Sequence, residues 1–316
     1  MNEDDAMFLN EFVQRTLLTA ARECAPRYLS GLCRSCIDIL PWSNINDIVS
    51  NFRFVPPRVR LVESGNNVTL DHYVSVNIAQ SGRLHRSLDV RRVEERLSAG
   101  ATLVIDAVDE LTKSVRRLAT QLEFLFHRTT QINAYIAVGS THGFPVHADP
   151  HDVMVFQTKG RKLWRVYEYC DSETISPNKK SSPKALAFEG ILNEGDLLYI
   201  PKGWEHEAIP LGEATIHLSA GVDQPNAKDY VLWVLNRMDH TKLFSSPISS
   251  VQGVAPEKPY SDELLSALAD GVGRFSVDLF LTEYAKKSAR ERVQMSLPTL
   301  PLPVFKRGES LSSIEE

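Results

Sequence analysis

"GFPVHADPHDVMVFQTKGRKLWRVYE", residues 143–168, decides how this chain is read. Its second half alternates: "DVMVFQT" (152–158) and "KLWRVYE" (162–168) are strand-like runs joined by "KGR", whose glycine is a hairpin signal. Its first half places His147 and Asp149 two residues apart, and in extended chain such a pair leaves the same face. An imidazole nitrogen and a carboxylate oxygen on one face, at the mouth of a strand, bind one cation between them. The same triplet also caps ordinary surface turns, so the surroundings must decide.

Outward from that stretch, "QINAYIAVG" (131–139), "GDLLYIP" (195–201) and "ATIHLSAGV" (214–222) continue the strand character, with little helix between them. Short consecutive strands of this kind imply an antiparallel sandwich or small barrel. Before them, "FRFVPPRVRLV" (52–62) and "YVSVNIA" (73–79) alternate like strands. "DVRRVEERLS" (89–98) reads as a surface helix, "ATLVIDAV" (101–108) as a strand and 109–127 as an amphipathic helix carrying Leu111, Val115, Leu118, Leu122 and Leu125. Residues 6–40 space Phe8, Phe12, Leu17, Leu18, Leu29, Leu32, Ile37 and Leu40 as packing helices would, and helical spacing returns over 226–295.

Composition narrows the classes. The 316 residues are 43% hydrophobic and 24% charged with a net charge of −5, so there is a core to bury and no global basic field for nucleic acid or an anionic membrane. Acidic residues at the start oppose a secretory leader, and no apolar run approaches the roughly 18 residues that span a bilayer, so a cytoplasmic location is expected. Cys24, Cys33, Cys36 and Cys170 are too few for a disulfide framework, and "CRSC" (33–36) lacks a second ligand pair at zinc-finger spacing. Buried helix cysteines are the expectation there.

Six of the nine histidines fall between 127 and 217. In "GDLLYIPKGWEHEA" a strand closes on the Pro201–Gly203 turn, and His206 follows where the chain can fold back to the barrel mouth. His147, Asp149 and His206 would form two histidines and a carboxylate on one side of a metal, with positions open opposite, as in non-haem Fe(II) oxygenases. A structural zinc site is normally closed by four protein ligands. His151, whose direction is unsettled by "DPH", and His217, mid-strand and a second choice for third ligand, stay as rivals.

Taken together, "NAYIAVGSTHGFPVHADPHDVMVFQTKGRKLWRVYE" and "GDLLYIPKGWEHEA", with "PWSNINDIV" (41–49), "RVRLVESG" (58–65) and "ATLVIDAVDEL" (101–111), resemble the Jumonji-C ribosomal oxygenases. That resemblance implies a mainly β core with flanking helices: a double-stranded β-helix (cupin, jelly-roll) followed by a C-terminal helical region. It puts His147, Asp149 and His206 on the iron ligands and implies Fe(II), 2-oxoglutarate as co-substrate and O2. Lys162 in "GRKLW" stands where the family pairs a basic side chain with the distal carboxylate of 2-oxoglutarate. An unpaired charge in a barrel interior costs several kcal/mol, so a buried dicarboxylate needs such a partner. Asn133, Tyr135 and Ser219 are implied as further polar co-substrate contacts, Gly221 stands where some relatives have a hydroxyl residue, and Trp164 reads as a core filler.

The implied organisation is an N-terminal lead-in of helices and strands over 1–100, the barrel over 101–225, a helical region over 226–300 and a flexible tail over 301–316. The larger relatives add a winged-helix domain after the helices. Only 21 residues follow Met295, so that module is expected to be absent or vestigial. The expected activity is hydroxylation of an Arg or His side chain in a protein, such as a ribosomal protein, or a peptide, rather than N-methyl-lysine demethylation. The alternatives are a tailoring hydroxylase of a ribosomally made peptide and a non-catalytic metal-binding cupin. Expected partners are the protein or peptide substrate and a second copy held through the C-terminal helices, with no nucleic acid bound directly and no membrane.

Overall fold

The computed structural model describes residues 8–31, 36–51, 58–78, 81–168, 185–223, 225–238 and 258–291. Its elements in chain order are α1 (Glu11–Glu23), β1 (Arg27–Leu29), α2 (Trp42–Asn51), β2 (Val59–Glu63), β3 (Asn66–Asn67), β4 (Val74–Ile78), β5 (Leu84–Leu88), α3 (Val90–Ser98), β6 (Thr102–Ile105) and α4 (Lys113–Phe126). They continue with β7 (Thr130–Ala137), β8 (His147–Ala148), β9 (Asp152–Lys159), β10 (Lys162–Tyr167), β11 (Leu186–Leu192), β12 (Leu197–Ile200), β13 (Glu205–Pro210) and β14 (Thr215–Val222). The helices α5 (Ala227–Met238), α6 (Lys258–Arg274) and α7 (Val277–Glu291) follow.

Eight strands form a large sheet in the order β1-β12-β9-β14-β7-β6-β2-β3, and four form a small one in the order β11-β10-β13-β8. The two are the halves of an antiparallel jelly-roll barrel, the double-stranded β-helix expected of this sequence. Strand periodicity divides the large sheet into two faces. Ile132, Ala134 and Ile136 of β7 and Ile216, Leu218, Ala220 and Val222 of β14 join Val115, Leu118, Ala119 and Leu122 of α4 in the main core. The alternate residues point into the barrel. There Val153, Val155, Leu198 and Ile200 meet Trp164, Val166 and Leu192 of the small sheet in a second apolar cluster. β9 is covered on both faces, which is why "VMVF" is a continuous apolar run.

Local chemistry sets the borders. The side chain of Asn10 accepts from the Val13 amide to start α1, and that of Asp89 accepts from Arg92 to start α3. Gly160, with φ +60°, turns the β9–β10 hairpin, and a Cβ there would stand 2.4 Å from the Ala214 carbonyl oxygen.

Several expectations are corrected. Of the packing helices expected over residues 6–40, the described residues hold one α-helix, α1, followed by the short edge strand β1, with 6–7 and 32–35 outside the described residues; Val13 and Leu17 are buried while Phe12 and Leu18 are exposed. Helix 109–127 begins at Lys113, after a 3-10 turn over Val108–Glu110. The strand expected over 52–62 is β2, with 52–57 outside the described residues. Cys36 is buried and disulfide-bonded, and its backbone is 3-10 rather than α-helical; Cys33 and Cys170 lie outside the described residues. The C-terminal helices pack on one another through Tyr230, Trp233, Phe275 and Phe280. No described helix is long and apolar enough to cross a membrane.

Candidate active site

The barrel interior is open at one end, in a cavity of about 410 Å³ lined by residues of both sheets. At its mouth His147, Asp149 and His206 each present one donor atom, all within 4.8 Å of one another. The cause is register. β8 and β13 pair antiparallel with His147 opposite His206, which puts both imidazoles on one face with ring centroids 4.5 Å apart. Asp149 follows His147 by two residues, and its Oδ2 lies 3.5 Å from His206 Nε2. His206 is buried, Asp149 half-buried, and His147 the most exposed of the three.

Both imidazoles are oriented by the backbone. His147 Nδ1 lies 2.9 Å from the Pro145 carbonyl oxygen and His206 Nδ1 lies 3.1 Å from that of Trp204. A proton on each Nδ1, donated to the carbonyl, leaves the Nε2 lone pair for a cation, the second-sphere arrangement common to metal-binding histidines. Burial is the main influence lowering the His206 pKa, followed by His147, and so favours the neutral ring that ligation needs. This donor set fits a divalent transition metal with open positions on the cavity side.

The surrounding segments are pinned. The Gly203 amide donates to the Asp149 carbonyl, the Lys202 amide to Asp152 Oδ1 at 2.8 Å, and the Tyr199 hydroxyl to Asp152 Oδ2 at 2.8 Å. Asp152 thereby ties the turn before His206 to the strand after Asp149. On the other side, the loop before His147 is clasped by the β2–β3 turn. The Gly65 amide donates to the Gly143 carbonyl at 2.7 Å, and Gly65 has φ +81° with Pro145 against the space a Cβ would fill. Phe144 of this loop packs beside His147 and edge-on to Tyr135.

Deeper in the cavity lies Lys162, 2% exposed. Its Nζ is 2.8 Å from His217 Nδ1, and no ion pair to it occurs among the described residues. Burial alone lowers its pKa to about 7. His217 is held well below its ordinary value by burial, then by Lys162, so the neutral ring accepts from the lysine. Tyr135 stacks on His217 with centroids 4.8 Å apart, and burial, then Asp149, raises its phenol to about 12. Asn133 lines the wall, its Oδ1 accepting from the Ala107 amide and from Gln131 Nε2, both at 2.9 Å. Ser219 and Gly221 line the same wall from β14.

All seven sequence-selected residues therefore border one cavity, with the triad at one end and Lys162 at the other. The rivals separate from the triad. His151 lies against Gly221, where a Cβ would come within 2.6 Å of its Nε2, and His217 lies beside Lys162. His206 follows the Pro201–Gly203 turn, which the Trp204 amide closes by donating to the Pro201 carbonyl, and it lies on β13. Trp164 is more than a core filler: it borders the cavity, and its buried Nε1 has no acceptor among the described residues. The i, i+2 relation to Lys162 was the available signal.

Comparison with known proteins agrees with this architecture. The JmjC domain family matches residues 108–230. The chain is 25% identical over 287 residues to a Dictyostelium discoideum protein named bifunctional lysine-specific demethylase and histidyl-hydroxylase NO66, covering 82% of this chain and 54% of that one. It is 30% identical over 161 residues to ribosomal oxygenase 2 of Rattus norvegicus, covering 49% of this chain and 32% of the relative. The chain thus spans about half or less of the length of these relatives. Among solved structures, Escherichia coli ycfD superposes with a TM-score of 0.56 at 19% identity, covering 88% of this chain and 72% of that one. The ribosomal oxygenase YcfD in complex with cobalt and 2-oxoglutarate superposes with a TM-score of 0.53 at 19% identity, covering 89% and 72%. Residues 108–230 thus match the JmjC domain family, and the chain is similar in sequence to ribosomal oxygenase 2 and in fold to ycfD.

Proposed function

We infer that this protein is an Fe(II)- and 2-oxoglutarate-dependent oxygenase that hydroxylates an amino-acid side chain, Arg or His, of a protein or peptide. One observation carries the reading: a metal-competent triad and a buried lysine that has no carboxylate partner among the described residues border the same cavity. A desolvated cation is costly unless an anion completes it, and a dicarboxylate reaching from the metal to Lys162 is such an anion. The unpartnered Trp164 Nε1 in the same wall supplies a further donor. The non-catalytic cupin reading explains neither donor.

On this reading His147, Asp149 and His206 hold the iron, and Lys162 pairs with the far carboxylate of the co-substrate. Tyr135, Asn133 and Ser219 form the polar wall beside it. Bound iron, 2-oxoglutarate and O2 together supply the oxidising chemistry, with succinate and carbon dioxide as co-products. The chain contributes position and dryness. The Pro145 and Trp204 carbonyls fix the two imidazoles, the apolar cluster behind Trp164 keeps water from the floor, and the open mouth admits a side chain to the triad. The relatives' names include a histidyl-hydroxylase, which supports a side-chain hydroxylation.

The test is incubation of the iron-loaded enzyme with 2-oxoglutarate and a cell lysate, followed by mass spectrometry. Expected are peptides heavier by one oxygen, with 18O incorporated from 18O2 and succinate formed in step. Iron-bound protein that forms no succinate with any lysate would refute the proposal.

A further inference from the structure

The cavity floor has a wall that the reading above does not use. His217 stands at the centre of the large sheet, opposite Tyr135 on β7 and Gln157 on β9, so its backbone is fixed on both sides. Its ring is fixed as well. Tyr135 lies flat against one face with an interplanar angle of 2°, Trp164 meets it edge-on at 5.2 Å and 82°, and its Nδ1 holds the Lys162 amine. His217 as a whole is 5% exposed and borders the cavity.

A ligand gripped at both ends is measured by the distance between the grips. Here one grip is the triad and the other is Lys162, whose amine the His217 ring holds in place. With the ring packed as it is, the lysine cannot retreat to admit a longer chain without breaking a stacked contact and a buried hydrogen bond. We propose that His217 is a specificity-determining residue: by bracing Lys162 it sets the chain length of the 2-oxo dicarboxylic acid that the site accepts, with five carbons fitting and six excluded. This rests on the oxygenase reading.

The test is isothermal titration of manganese-loaded protein, without oxygen, with oxaloacetate, 2-oxoglutarate and 2-oxoadipate as four-, five- and six-carbon probes. Wild type is expected to bind 2-oxoglutarate at least about 10-fold more tightly than 2-oxoadipate, the scale of discrimination one methylene provides in a shaped pocket. In His217→Ala that ratio should fall to near unity. His217→Asn keeps an acceptor for Lys162 on a smaller side chain and should give an intermediate ratio, with a melting curve showing that it is folded. An unchanged ratio in either folded variant, or a wild type that binds both acids equally, overturns the proposal. If wild type binds none of the three, the oxygenase reading falls with it. If wild type binds 2-oxoglutarate selectively and the variants behave identically, only the role of His217 is lost.

Discussion

The two faces of the large sheet come from the same strands and have opposite chemistry. Along β14, Ile216, Leu218, Ala220 and Val222 enter the core under α4, while His217, Ser219 and Gly221 face the cavity. Along β7, Ile132, Ala134 and Ile136 oppose Gln131, Asn133 and Tyr135 in the same way. A period of two lets one sequence carry a stability face and a chemistry face without either compromising the other. The outer face gains from burial; the inner face looks across the cavity at β10 of the small sheet, which carries a desolvated lysine and an indole without an acceptor among the described residues, both unfavourable until a ligand arrives.

Substitutions on alternate residues should therefore separate function from folding. The largest effect is expected at the mouth. Asp149→Ala should reduce iron content and bring succinate formation to background, with an unchanged melting temperature in the absence of metal; retained turnover at wild-type iron content would break the division. Leu218→Ala, on the outer face, should cost about 2–5 kcal/mol in chemical denaturation with the Kd for 2-oxoglutarate of the folded protein preserved.

Lys162→Met should behave in the opposite sense. Replacing a buried, unpaired cation with an apolar side chain is expected to stabilise the free protein by roughly 1–4 kcal/mol at pH 7 while removing 2-oxoglutarate affinity. Between its folded pKa of about 7 and the ordinary 10.5, the unfolded chain holds more protons at Lys162 than the folded one. The penalty is thus fully present below pH 7 and is relieved as pH rises through that window, and denaturation against pH should show this rise in wild type and lose it in Lys162→Met. The smallest effect is expected at Gly65→Ala. A Cβ at this positive-φ position meets Pro145, whose carbonyl orients His147, so metal affinity should fall by about 10-fold. Unchanged affinity would mean that the β2–β3 turn does not position the first ligand.

Much of this was legible because alternation is a local signal. The five strands expected between residues 131 and 222 form at β7, β9, β10, β12 and β14 within a few residues of their expected bounds, and His147 with Asp149 share a face because extended chain requires it. β11 and β13 were not legible. "LAFEGIL" carries Gly190 and Glu189 and is largely exposed at a sheet edge, and "EHEAIP" is too polar to read as a strand. Both pair with β10 through contacts distant in sequence, and the pairing of β13 with β8, about 60 residues apart in the chain, is what sets His206 opposite His147. The Lys162–His217 contact spans 55 residues and depends on the curvature that brings the two sheets together, so the sequence offered each residue separately and not the pair. Phe12 and Leu18 misled because apolar residues at helical spacing need not face the core.

The central claim is that the triad and Lys162 hold one metal and one oxoacid at the same time. Anaerobic addition of 2-oxoglutarate to the Fe(II)-loaded protein tests it most directly, since bidentate chelation by a 2-oxo acid produces a visible metal-to-ligand charge-transfer band. The band should appear in wild type, be absent in Asp149→Ala, and require far more 2-oxoglutarate in Lys162→Met. Iron-loaded wild type that shows no band at saturating 2-oxoglutarate would contradict the account.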